Sequence, residues 1–175
     1  MGELTVNVAQ LMREEMGARR ELQLTAGELR LDDELVLRNI SARVRLTRTA
    51  PGIFVKASVL GTVQLTCVRS LEQFDYALKL EFADQFYAVV DVVTGAKFPP
   101  PVEDDPFMLD ELHQADLGAA IRQYALIELP LNPVAPAYRD TPISYTVESE
   151  GVDEDPVADD RLAALREWAE RRKQQ

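Results

Sequence analysis

Ile53-Phe54-Val55-Lys56-Ala57-Ser58-Val59-Leu60-Gly61-Thr62-Val63-Gln64-Leu65 is the stretch that decides the fold. Its odd-numbered positions are small or apolar, and its even-numbered ones include Lys56, Ser58, Thr62 and Gln64. Period two held over this length fits a half-buried strand. A helix would scatter the same apolar positions around its circumference. Upstream, Ile40, Ala42, Val44 and Leu46 alternate with Ser41, Arg43, Arg45 and Thr47. Thr49-Ala50-Pro51-Gly52 between the two runs reads as a turn, with proline pre-setting φ and glycine allowing φ > 0. Downstream, Phe74, Tyr76, Leu78, Leu80 and Phe82 face one way, and Asp75, Ala77, Lys79 and Glu81 the other. Three long strands with short connections form an antiparallel meander, one face of which is apolar and must be covered. Gly61 in mid-strand implies a bulge or bend, so the sheet curls. The expected fold class is α+β: a curled antiparallel β-meander packed with short N-terminal, middle and C-terminal helices. An open sheet and a barrel-like closure both remain compatible with the pattern.

Moving outward, Arg20 to Ala26 alternate as a further strand. Asn7 is placed to cap a helix from Val8 to Met16 that stops at Gly17, with Val8, Leu11, Met12 and Glu15 on one face. The pattern breaks from about Asp91. Lys97-Phe98-Pro99-Pro100-Pro101-Val102-Glu103-Asp104-Asp105-Pro106 is too proline-rich for a central element, and residues 97–110 read as an exposed acidic loop. Asp116 caps a helix from Leu117 to about Leu129, with Leu117, Ala120, Ile121, Tyr124 and Ile127 or Glu128 along its stripe, and Pro130 stops it. Residues 130–142 hold four prolines and read as extended or turning. Ile143 to Val147 fits a short strand that closes a single domain over residues 1–147. Residues 148–175 read as an acidic linker and a C-terminal helix carrying Leu162, Leu165 and Trp168, with Arg171-Arg172-Lys173 at its negative end.

The 175 residues are 46% hydrophobic, enough for a substantial core. Cys67 is the single cysteine and His113 the single histidine. That excludes an internal disulfide and leaves a four-ligand zinc site without its usual ligands, and it fits a reducing, cytoplasmic compartment. No apolar run approaches the roughly 20 residues of a membrane helix. The first residues show no basic region followed by an apolar one, so no secretory signal is expected. The net charge is −11, unevenly spread: residues 1–70 carry 10 basic and 8 acidic side chains, and residues 71–160 carry 4 and 20. That balance opposes nonspecific nucleic-acid binding through the whole surface and leaves room for a local basic face.

Catalytic machinery is not evident. No glycine-rich phosphate loop, HExxH or GxSxG occurs. His113 lies in Glu111-Leu112-His113-Gln114, where nothing local marks it as a base, and nothing marks Cys67 as an activated thiol. Glu103-Asp104-Asp105 and Asp153-Glu154-Asp155 lack the spacing of a calcium loop and read as solvated acidic stretches. The chain is therefore expected to be non-catalytic, with no metal, cofactor or small-molecule substrate. A hydrolase using carboxylates and a divalent metal is the remote alternative.

Gly61-Thr62-Val63-Gln64-Leu65-Thr66-Cys67-Val68-Arg69-Ser70-Leu71-Glu72-Gln73-Phe74 resembles the G-x-x-x-L-x-C-x-R-C-L-x-x-F motif of the YceD family, which joins two strands of its sheet. Asp116-Leu117 through Leu129-Pro130-Leu131-Asn132-Pro133-Val134 is similar to the family's helix ending in L-P-x-x-P-V. Asp155-Pro156 through Arg166 is similar to its terminal helix. The likeness runs over roughly residues 4–170, and its motif positions are Gly61, Cys67, Arg69, Leu71, Phe74, Leu129 and Pro130. Ser70 stands where the family has a second cysteine, and Ala135, Tyr138 and Arg139 occupy the region where many members carry more. A metal site built from those cysteines is not available, and Cys67 is left as a small, part-buried residue at a strand end. The resemblance implies a ribosome-assembly factor that supports accumulation or processing of large-subunit ribosomal RNA. Its partner would be precursor RNA, a basic ribosomal protein, or both.

Two surfaces suit such partners. One is the strand face with Arg43, Arg45, Lys56 and Lys79, with Arg69 and Arg48 as candidate extensions, where guanidinium forks can grip phosphates. Phe74, Tyr76 and Phe82 fall on the opposite, core side, so no base-stacking platform is expected. The other is the acidic set Glu103-Asp104-Asp105 with residues 148–160, suited to a basic protein by electrostatic complementarity. An ordinary solvated surface is the alternative for each.

Overall fold

The computed structural model describes residues 4–140. In chain order the elements are β1 (Thr5–Asn7), α1 (Ala9–Arg13), β2 (Arg19–Arg30), β3 (Val36–Thr49), β4 (Gly52–Thr66), β5 (Gln73–Tyr87), β6 (Phe107–Met108), β7 (Gln114–Asp116), α2 (Leu117–Glu128) and a 3-10 turn at Pro136–Tyr138. The expected strand at residues 143–147, the acidic linker and the C-terminal helix lie outside the described residues.

The period-two stretch forms β4, the middle of a five-stranded sheet of order β2-β3-β4-β5-β6. The four long strands pair antiparallel with their sequence neighbours. β6 adds to β5 in parallel, setting Phe107 opposite Phe86 with their rings stacked at 5.0 Å. Among the described residues β2 and β6 are the edges of the sheet, which does not close into a barrel. β1 and β7 form a separate antiparallel pair.

Alternation fixes which face is inside. Ile53, Val55, Ala57, Val59, Val63 and Leu65 of β4 are buried, as are Ile40, Ala42, Val44 and Leu46 of β3 and Leu78, Leu80, Phe82 and Phe86 of β5. Val8, Leu11 and Met12 around α1 and Leu117, Ala120, Ile121 and Ala125 of α2 complete the core. α2 touches both β2 and β5. Those strands are three spacings apart, about 14 Å, and a 12-residue helix of about 18 Å reaches across. Asp116 caps it as expected, its Oδ1 accepting from the Ala119 amide at 3.0 Å. Ile127 departs from the expected stripe and is exposed.

Several local expectations are corrected. α1 has five residues and ends where Glu14 turns extended, so Glu15 and Met16 are exposed. Asn7 belongs to β1, although its Oδ1 still accepts from the Ala9 amide at 3.0 Å. Gly17 does adopt a positive φ of 87°. Gly52 does not; its role is close approach, since a Cβ there would meet the Phe86 carbonyl oxygen at 2.0 Å. The bulge expected at Gly61 sits opposite it on β3. The β3–β4 register shifts between Arg38 and Ser41, so two residues, Asn39 and Ile40, face the single Gly61. Asn39 takes the left-handed conformation (φ 53°) that asparagine tolerates. Gly61 gives room to Leu37, whose Cδ1 would lie 2.6 Å from an added Cβ. The bulge also steps the inward parity, so β3 buries Leu37 and then Ile40.

Candidate nucleic-acid interface

The outward face of the sheet is read from the strand registers. Glu21, Arg45, Lys56 and Ala83 form one row across β2, β3, β4 and β5. Gln23, Arg43, Ser58 and Glu81 form the next, and Thr25, Ser41, Leu60 and Lys79 the one after. Arg45 and Lys56 are therefore immediate cross-strand neighbours, and Arg43 lies two residues along β3 on the same face. Arg43, Arg45, Lys56, Ser58, Glu21 and Glu81 line one shallow depression of about 260 Å³.

Ion pairing grades these cations. Arg45 is engaged with Glu21 at 2.7 Å, and Lys79 with Glu81 at 3.6 Å. Among the described residues no ion pair involves Arg43 or Lys56. The four ion pairs among the described residues are all solvent-accessible, so each is weakly held and open to exchange for a phosphate. Three of the four expected cations thus converge, and Lys79 shares the face one row beyond Arg43.

The two candidate extensions lie elsewhere. Arg48 continues the inward parity of Ile40 to Leu46. Its Nη1 donates to the Thr49 and Gly52 carbonyls at 2.6 and 3.0 Å, and its Nε is buried without a partner among the described residues. It is a brace under the β3–β4 turn. Arg69 lies in the β4–β5 connection, where its Nη1 donates to the Tyr138 carbonyl.

That connection ties distant motif positions together. The Val68 amide donates to the Pro133 carbonyl at 2.9 Å, and the Ala135 amide to Cys67 Sγ at 3.4 Å. The Cys67 amide donates to Glu72 and the Leu71 amide to Cys67, closing the loop on itself. Leu71 sits there at φ 61°, largely exposed. Cys67 is fully buried, more than the part-burial expected. Burial pushes its thiol up, but donation from the Ala135 amide, the Ser70 hydroxyl and the Ser70 and Arg69 amides outweighs this and lowers it to about 7. The segment after α2 that resembles L-P-x-x-P-V is therefore clamped by the segment that resembles C-x-R-C-L.

Residues 55–167, well over half of the chain, match the family model described as large ribosomal RNA subunit accumulation protein YceD. The chain belongs to the YceD family. Neither a curated protein nor a solved structure matches it. YceD membership supports a ribosome-related role.

His113 closes the turn from Asp110, with φ 57°, its amide bonded to the Asp110 carbonyl at 3.0 Å and its carbonyl accepting from Val8 at 2.9 Å. Its Nδ1 is buried and has no partner among the described residues. No group of three or more His, Cys, Asp or Glu able to hold a metal occurs among the described residues. No helix among them is long and apolar enough to cross a membrane. Glu103 of the acidic loop accepts from the Tyr87 hydroxyl at 2.7 Å, which raises the Tyr87 pKa. Asp84, at an inward position of β5, accepts from the Tyr124 hydroxyl at 2.7 Å while the Tyr124 ring stacks on Phe82 at 4.8 Å.

The alternation reading placed Phe54 on the outward face but took no functional candidate from it. Phe54 is 39% exposed at the end of β4 nearest the turn. It pairs in register with Thr47 and Gln85. The signal was present in the sequence, since Phe54 shares parity with Lys56 and Ser58.

Proposed function

We propose that this YceD-family chain is a non-catalytic assembly factor that binds large-subunit precursor ribosomal RNA through the outward face of its sheet. The observation that carries this reading is the adjacency of Arg43, Arg45 and Lys56 over one shallow depression. A guanidinium presents a planar fork of donors that matches phosphate oxygens, and a rigid sheet holds neighbouring forks at fixed spacing. The acidic total opposes binding through the whole surface, which favours a local basic face such as this one. Family membership supports large-subunit ribosomal RNA as the class of partner. A cytoplasmic setting follows from the ribosomal role.

The test is a filter-binding titration with fragments of large-subunit precursor RNA. Arg43→Glu with Arg45→Glu should weaken binding at least tenfold while the thermal melt shows an intact fold. Unchanged affinity of the folded double variant would remove this face from RNA binding.

A further inference from the structure

Phe54 is a large apolar side chain with no core to fill. It sits at an outward position of the central strand, 39% exposed, while Phe74, Tyr76, Phe82 and Phe86 of β5 face the core or its margin and Tyr87 is engaged with Glu103. It lies two residues before Lys56 on the same face, about 7 Å along the strand. Arg45 stands beside Lys56 across the β3–β4 pairing. A phenyl ring at the border of a cation cluster provides the two elements that bind unpaired nucleotides. Every base has a π face to stack on the ring, and the cations hold the adjoining phosphates. A duplex keeps its bases stacked inside and offers the ring nothing comparable. A peptide partner would also cover an apolar ring, but the neighbouring cations match the phosphates of a nucleic acid.

Resting on the RNA-binding reading above, we infer that Phe54 is a base-stacking residue and that the outward face takes a single-stranded segment of RNA, with Arg45, Lys56 and Arg43 on its backbone. The ring sets the strandedness preference, and the cations set the salt dependence.

The experiment compares full-length wild type, Phe54→Ala, Phe54→Trp and Arg43→Glu/Arg45→Glu on one RNA sequence, presented single-stranded or annealed to its complement. Circular dichroism and a thermal melt verify folding. Wild type should prefer the single strand. Phe54→Ala should lose about tenfold or more of that affinity, the range of one base–aromatic stack, with duplex binding unmoved. Phe54→Trp should retain affinity, and indole emission beyond that of Trp168 should be quenched on adding the single strand. Equal single-strand affinity of wild type and Phe54→Ala, with loss only in the double charge variant, would overturn the stacking role and leave the RNA-binding face standing. Absence of RNA binding by wild type would overturn both.

Discussion

The Ala135 amide donates to the Cys67 sulfur at 3.4 Å, joining the end of β4 to the segment after α2 across 68 residues of chain. This contact ties together two sequence features that lie far apart in the chain. The β4–β5 connection forms a cup of donors around Cys67, and the segment from Pro133 to Tyr138 closes it with the Val68 and Arg69 bonds.

The same contact makes stability depend on pH. The folded thiol lies at about 7, below its ordinary 9.0, because donors favour the thiolate. A group with a depressed folded pKa contributes stability that is fully present above the unfolded value and is lost as pH falls through the folded one. The stability difference between wild type and Cys67→Ala should therefore widen from pH 7 to pH 9, measured by urea denaturation. A difference that stays flat across that window would contradict the donor cup.

Gly52 and Gly61 are both needed for space, and the two should differ in cost. An added Cβ at Gly52 meets backbone at 2.0 Å, whereas at Gly61 the nearest atom is the end of the Leu37 side chain at 2.6 Å. Gly61→Ala should cost about 1–3 kcal/mol, the range of overpacking that side chains can relieve, and Leu37→Val should recover part of it. Gly52→Ala should cost more and resist rescue by any side-chain change. Thermal melts of the three variants decide the order.

Tyr124→Phe should lower stability by about 1.5–3 kcal/mol, the range of a hydrogen bond to a charged group, while its stacking on Phe82 persists. The Asp84 hydrogen bond, with burial second, raises the Tyr124 pKa above 10.0. The raised value means that the contribution is fully present below pH 10 and is lost as pH rises through the folded pKa. The variant and wild type should converge in stability at strongly alkaline pH.

The core of the sheet was legible because burial on one face forces alternation, as Ile53 to Leu65 show. The ends of β2 and β3 were not. The bulge at Asn39 shifts inward parity by one, so Leu37 and Ile40 on β3, and Ala26 and Leu29 on β2, follow a step of three that alternation does not recognise. Parity did carry information that composition obscured. Arg48 and Asp84 lie at inward positions despite their charge and find backbone and tyrosine partners there. Phe54 lies outward despite its ring. The bonds of Arg69 and Cys67 to the segment after α2 depend on how the chain returns, which no local pattern encodes. Of the basic face, strand periodicity gave the side of the sheet on which each cation lies. Which cations adjoin depends on the β3–β4 register, set by a turn and a bulge.

The most direct measurement is the salt dependence of binding to large-subunit precursor RNA, taken in parallel for wild type and for Arg43→Gln/Arg45→Gln. Each phosphate contact on a single strand adds about 0.7 to the slope of log affinity against log salt. Removing two should flatten the slope by about 1.4 and weaken binding at low salt. Identical slopes and affinities for the two folded proteins would contradict an RNA-binding role for the outward sheet face.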